Sequence, residues 1–413
     1  MRILPILLLL ALAPTAGIAQ TASSDPSAAG EKALDEGRFE AAVEIFSKLV
    51  TADPADVGSH FSLAIAYSQL GRDALAIPEY RKVLELQPDI YEVHINLGQV
   101  LLRSKQPAEA ILHLKRAHEQ KPQEFRPAFF LGEALAEVDQ QNEAVAALTA
   151  AVAIDPKSSP AELSLGRALA ATGKLPEAET HYRKAVALDP QAKGSLLELG
   201  QMLEQKGDTA GAMALYREFP ESPAAREHLG FLLIKEGKPE DAIAALEPVV
   251  ASAPTKTSRL ALAQAYVQHK DLAKAEPLLE QVVADEPKNF ELRMTYGRVL
   301  RDEHKATPSA FQFQEATRIN NDSPEAWSEL SGALILIEEY PAALQALERV
   351  KQLGAEKPGH VFFRATSLDH LKQIRAALDQ YNEFLNLSKG QNPDQEFQAR
   401  MRARTLAQEL EKR

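Results

Sequence analysis

Ten histidines and two glycine–lysine pairs are the side chains of this 413-residue sequence that most invite a chemical reading. Gly173-Lys174 and Gly237-Lys238 have the parts of a phosphate-binding loop, in which backbone N–H groups cradle the phosphate and the lysine neutralises it. That loop needs four residues between its glycines, whereas six separate Gly173 from Gly166 and Gly237 from Gly230. Leu175 and Pro239 stand where a magnesium-binding hydroxyl is required. Both pairs therefore read as helix-end glycines. His113 and His118 are five apart, so they do not share a helix face as i, i+4 zinc ligands would. No G-x-S-x-G, H-E-x-x-H or calcium-loop pattern occurs. Catalytic, metal and cofactor residues are all expected to be absent, and the chain reads as non-enzymatic.

The elements that would position any site repeat every 34 residues. Ala42, Ala76, Ala110, Ala144, Ala178 and Ala212 keep that spacing, and the series resumes at Ala242, Ala275, Ser309, Ala343 and Ala377. Twelve residues before each stands a second small residue, glycine in seven of eleven cases, as at Gly98 and Gly132. Glycine inside a helix costs about 1 kcal/mol relative to alanine, so its recurrence implies close approach of two helices. Apolar spacings of 3 and 4, as in Leu97, Leu101 and Ile111, Leu114, are helical. Gly37, Gly71, Gly173, Gly207 and Gly237 fall between the two helices of a unit, where a left-handed C-cap is expected. Prolines from Pro54 to Pro287 recur twelve residues after the alanine and end the second helix. His60 and His94 occupy one place in neighbouring repeats, roughly 10 Å apart if the repeats stack, too far to share a metal.

On these residues the chain resembles the tetratricopeptide repeat family, most clearly from His94 to Pro122 with Leu97-Gly98, Leu101, Ala110, Leu114, Ala117 and Pro122. The resemblance spans about residues 23–390 as eleven repeats. It implies an all-α, right-handed α-solenoid of stacked helix-turn-helix repeats with a C-terminal capping helix. Proline gives way to Asn321, Ala355 and Gly390 in the last three repeats, and only 30 residues separate Ala212 from Ala242. That loss of about one helical turn predicts a kink after repeat six. Residues 29–222 then hold repeats one to six and 223–390 repeats seven to eleven. Residues 391–413 form the cap, with Phe397, Met401, Leu406 and Leu410 turned to the stack and Arg400, Arg402 and Arg404 in solvent. Trp327, in the bulky first-helix position of repeat ten, is expected in the core. No block of about 100 residues is left for a separate catalytic domain.

Residues 1–19 read as a signal peptide cleaved after Ala19: Arg2 supplies charge, the apolar run Ile3–Ala13 is too short to span a membrane, and Gly17-Ile18-Ala19 gives small residues at the cleavage site. Residues 20–28 form a short linker. Periplasmic or secreted localisation follows, with no membrane span after cleavage, and the complete absence of cysteine suits an oxidising compartment. Only Arg2 is lost from the 46 basic residues, leaving 45 against 58 acidic ones. Nucleic acid and anionic lipid are poor partners for that balance.

The resemblance also implies that the first helices line a concave wall that grips a peptide or helix. One residue after the bulky position come Phe61, Ile95, Phe129, Leu163 and Leu197, an apolar stripe that Glu227 and Ser328 interrupt in later repeats. Packing between helices is the competing reading of those five. Four residues further on stand Gln99, Glu133, Arg167 and Gln201, able to hydrogen-bond a peptide backbone. Members that clamp a C-terminal carboxylate place lysine where this chain has Phe61 and Ile95, so a clamp is disfavoured. The expected function is a scaffold or assembly factor holding a protein or peptide partner in this groove. An architectural spacer docking through its ends, or a non-catalytic subunit of an envelope polysaccharide- or peptidoglycan-processing complex, stands as the alternative.

Overall fold

The computed structural model describes residues 25–411, so the signal peptide, residues 20–24 of the linker and the last two residues lie outside it. Twenty-two of its α-helices pair into eleven helix-turn-helix repeats, from Pro26–Asp35 with Phe39–Ala52 to Pro358–His370 with Ile374–Ser388, and Pro393–Glu411 follows as a last helix. No strand occurs among the described residues. In each pair the first helix is named A and the second B. The chain forms an all-α solenoid of helical repeats in two compact units, one ending at Leu199 and one beginning at Gly200. The short B helix of repeat six, Thr209–Arg217, belongs to the second unit.

Packing inside a repeat depends on size matching. A Cβ built on Gly30, Gly98, Gly132, Gly166, Gly200, Gly230 or Gly297 would fall 2.4–2.9 Å from the side chain sixteen residues later, respectively Phe46, Leu114, Leu148, Tyr182, Tyr216, Leu246 and Phe313. Ala64, Ala263, Ser331 and Ala365 stand in the same register to Tyr80, Leu279, Leu347 and Tyr381, which are 4% exposed or less. The glycines thus admit a bulky B-helix side chain; Gly166 also meets a backbone atom, the Ala178 carbonyl oxygen at 3.3 Å. The 34-residue alanine series, Ser309 included, is wholly buried. Ser309 satisfies its hydroxyl by donating to the Gly297 carbonyl at 2.8 Å, which makes a buried polar atom tolerable there.

The turn between A and B helices is equally regular. In repeat two, Gly71 N–H donates to the Ser68 carbonyl and Arg72 N–H to the Tyr67 carbonyl, the two bonds of a Schellman cap. Gly37, Gly71, Gly173, Gly207 and Gly237 have φ between 67° and 85°, as the spacing predicts. In the other six repeats the same left-handed position is filled by Lys105, Asp139, Lys270, His304, Glu338 and Lys372 at φ 58–64°. A helices instead begin on side-chain caps such as Asp56, Ser158, Ser222, Asn289 and Ser323.

Several side chains are placed differently from expectation. Trp327 is half-buried and borders a recess of about 440 Å³ with Phe311, Leu330, Leu334 and Ile337, its indole N–H donating to the Asn321 carbonyl at 2.8 Å. Phe397 and Met401 are 66% and 53% exposed, while Glu396, Ala399, Ala403 and Leu406 face the stack. The nine residues from Phe397 to Leu406 make two and a half helical turns, which puts them on opposite faces. Arg402, expected in solvent, is half-buried and donates to Asp369 through Nε and Nη2.

A non-glycine residue in the left-handed region is strained, so Glu338→Gly, an exposed site, is expected to stabilise the protein by about 0.5–1 kcal/mol and to raise Tm in thermal unfolding. An unchanged or lower Tm would contradict strain at that turn.

Candidate functional site

The A helices of repeats two to five, Val57–Gln69, Tyr91–Arg103, Phe125–Glu137 and Ser159–Ala171, lie in the first unit and carry most of the expected wall. Phe61 is half-buried, with its ring edge-on to Tyr80 at 6.1 Å. Ile95 is only 2% exposed and is therefore core rather than wall. Phe129 is half-buried, stacked on Phe125 at 5.4 Å and tilted against Phe130 at 5.3 Å. Leu163 and Leu197 are half-buried. The apolar stripe is thus interrupted at repeat three and strongest at repeat four, where three phenylalanines sit on one helix. Gln201, exposed, belongs to the second unit.

The polar candidates are mostly occupied by neighbours from the next repeat. Gln99 accepts from Arg126 at 3.0 Å, and the same guanidinium arm reaches Asn96 at 3.4 Å. Arg167 donates twice to Glu198, at 2.9 Å each. Arg103 binds Asp73 and the Ser68 hydroxyl of the preceding repeat. Glu133 makes no side-chain hydrogen bond or ion pair among the described residues and stays half-exposed. Arg126, Asn96 and Glu198 were not singled out by spacing from the alanine series, because they sit on other turns of the same helices. Their signal is a long cation one repeat away from a carboxylate or amide.

The bulky A-helix position has a different role from the one its spacing suggests. Nε2 of His60 and of His94 faces the carbonyl six residues earlier, of Pro54 at 3.2 Å and of Pro88 at 2.9 Å. Arg226, Arg293 and Trp327 make the equivalent bond to Pro220, Pro287 and Asn321. Each bond fastens an A helix to the connector before it, satisfying a carbonyl left free where the previous B helix ends. Across the turn the same residue meets the one nineteen positions later: His60 with Glu79 at 2.5 Å, His94 with His113 at 3.1 Å, and buried Glu162 with His181 at 2.7 Å. Glu162 is fully buried and also pairs with Lys184.

Among the described residues no group of three or more potential metal ligands converges. His94 and His113 form a pair that the sequence spacing did not reveal, because it crosses a turn. With His94 Nε2 donating to Pro88, neutral His94 offers a bare Nδ1, and His113 Nδ1–H donates to it. Burial, first of all, holds both rings below the ordinary histidine value, and His94 itself further lowers His113. The unfolded chain therefore takes up these protons first, so the stability they confer is present above about pH 6.5 and is lost as pH falls. Melting temperatures measured from pH 8 to pH 5.5 should fall in the natural protein. In His113→Asn they should fall less, because the amide donates to neutral His94 and, rotated, accepts from protonated His94. Identical pH profiles would contradict this pairing.

No significantly similar curated protein was found. Among solved structures, one crystal structure of MamA is 25% identical, with 39% of this chain and 95% of that one aligned and a TM-score of 0.37. MamA from Desulfovibrio magneticus RS-1 is 24% identical over 41% and 98% of the two chains, with a TM-score of 0.39. YrrB, described as a TPR protein with an unusual peptide-binding site, is 22% identical over 39% and 83%, with a TM-score of 0.37. The family assignment rests instead on the sequence. The tetratricopeptide repeat model matches residues 27–89, 63–125, 95–159, 163–226, 229–290 and 260–324, each match about two of the structural repeats long. Since those overlapping segments run from residue 27 to 324 with only short gaps, more than half of the sequence, the chain belongs to the tetratricopeptide repeat family, generally a non-catalytic protein-interaction fold.

Proposed function

We propose that this chain is an exported, non-enzymatic scaffold or assembly factor of the periplasm or cell envelope. It holds a protein or peptide partner against the A-helix wall of the first unit. Family membership supports a protein-interaction scaffold. The single observation that carries the finer reading is the Phe125–Phe129–Phe130 cluster: three aromatic rings in contact on one A helix, none of them buried. Aromatic groups left half in water on the wall that this family uses for ligands offer large apolar area at low entropic cost. Phe61, Leu163 and Leu197 flank the cluster as further apolar contacts, and Glu133 is the free polar group beside it. Gln99 and Arg167, held by Arg126 and Glu198, act as walls rather than as donors awaiting a ligand.

The favoured partner is therefore an apolar or aromatic segment, neutral or basic in charge, since the mature chain is acidic overall. Export is supported by the N-terminal pattern and the absence of cysteine. Among the described residues no helix is long and apolar enough to cross a membrane.

The test is affinity capture from cell-envelope extract with the mature protein, with a Phe125→Ser, Phe129→Ser variant, and with Leu112→Ser, a B-helix residue 68% exposed. A partner retained by the natural protein and by Leu112→Ser, but reduced at least about tenfold by the folded double variant, is the expected result, as removal of a binding hot spot requires. Equal retention by all three proteins would sink the A-helix reading.

A further inference from the structure

The outward face of the last helix, Pro393–Glu411, carries a pattern that its place at the end of the stack does not explain. Asp394, Phe397, Met401, Arg404 and Gln408 are all exposed and are spaced 3, 4, 3 and 4 apart. They lie opposite the buried line of Glu396, Ala399, Ala403 and Leu406. A 3-4 spacing with apolar residues at its centre is the seam of a two-helix coiled-coil contact. A solvated capping face would be polar at those positions. Here Phe397 and Met401, at 66% and 53% exposure, form its middle.

We propose that a second copy of this chain docks on that face, the two C-terminal helices crossing antiparallel about a two-fold axis. The charges decide the occupant and the direction. In an antiparallel pair centred between Phe397 and Met401, Phe397 of one copy opposes Met401 of the other. The same register brings Asp394 opposite Arg404, and symmetry repeats both layers. Asp394 and Arg404 form no ion pair among the described residues, so each is open to a partner. Parallel pairing would instead oppose Asp394 with Asp394 and Arg404 with Arg404, an arrangement that like charges disfavour. Arg400 and Arg402, by contrast, are engaged within the chain by Glu396 and Asp369. The contact involves one helix from each copy and buries less than the roughly 1,600 Å² of a standard interface, so a reversible dimer with Kd on the order of 10 µM is expected. This surface belongs to the second unit and is independent of the A-helix wall of the first.

Sedimentation velocity of the full mature chain, from about 1 to 200 µM, reads the association directly. The natural protein is expected to shift from monomer to dimer across that range. D394R and R404D, each creating two like-charge contacts, are expected to raise Kd at least about tenfold. The double variant D394R/R404D is expected to restore association to within about threefold, because the swapped charges still meet. Both positions are exposed, so circular dichroism should match the natural protein in every variant, as should Tm to within a few degrees when measured well below Kd. A natural protein that stays monomeric at the highest concentration overturns the proposal. So does association that the single reversals leave intact, or that the double swap fails to restore.

Discussion

A large B-helix side chain seated over a small A-helix residue sixteen positions earlier is the contact on which the rest of this molecule depends. With glycine in place, the Leu148 side chain reaches within 2.4 Å of where a Cβ on residue 132 would stand. Seven glycines accept a helix-propensity cost of about 1 kcal/mol each for that fit. Leu114, Leu148 and Leu246 are wholly buried, so the apolar surface gained at each contact outweighs the cost. The contact also fixes register. A one-residue slip would drive a bulky side chain into a neighbouring turn instead of the opening made for it. Two compact units can be assembled from eleven such pairs because each pair closes locally.

Once the pairs are closed, the polar groups fasten one repeat to the next. Bonds from His60, His94, Arg293 and Trp327 to the preceding connector, and cross-repeat pairs such as Arg103–Asp73 and Arg126–Gln99, repeat the same task with different side chains. His60 and His94 are thereby structural, and Gln99 and Arg167 are held in the same way by a neighbouring repeat. The three phenylalanines of repeat four and, at the C-terminal end of the second unit, Phe397 and Met401 are apolar side chains that the packing leaves partly or largely in water. Recognition by such surfaces depends on shape and buried area, with charge setting orientation.

The sequence showed the architecture because its signals are single residue types at fixed spacing. An alanine every 34 residues, a glycine twelve before it and a glycine turn after the A helix predict the pairs that the structure contains. Six left-handed turns without glycine, from Lys105 to Lys372, were invisible, since the two backbone hydrogen bonds of the cap hold ordinary residues in that conformation. The wall was legible only in part. Phe61, Ile95 and Phe129 share one repeat position, yet Ile95 is 2% exposed while the two phenylalanines are half-buried. Position in the repeat sets direction, and the size of the side chain together with its neighbours sets how much of it reaches water. His94 with His113 and Glu162 with His181 stayed hidden because the partners are nineteen positions apart, across a turn. The face of the last helix was readable from helical phase alone: Phe397 and Leu406, half a turn out of register, cannot both meet the stack.

A double-mutant cycle on Gly132 and Leu148, measured by denaturant unfolding, tests the size-matching contact most directly. Gly132→Ala should destabilise by about 1–3 kcal/mol despite alanine's higher helix propensity, because its methyl meets Leu148. Leu148→Ala should cost about 2–5 kcal/mol through the cavity it leaves. Together they should cost at least about 1 kcal/mol less than the sum, since the new methyl enters the vacated space. Additive losses, or a Gly132→Ala protein more stable than the natural one, would show that the glycine is not there to admit the leucine.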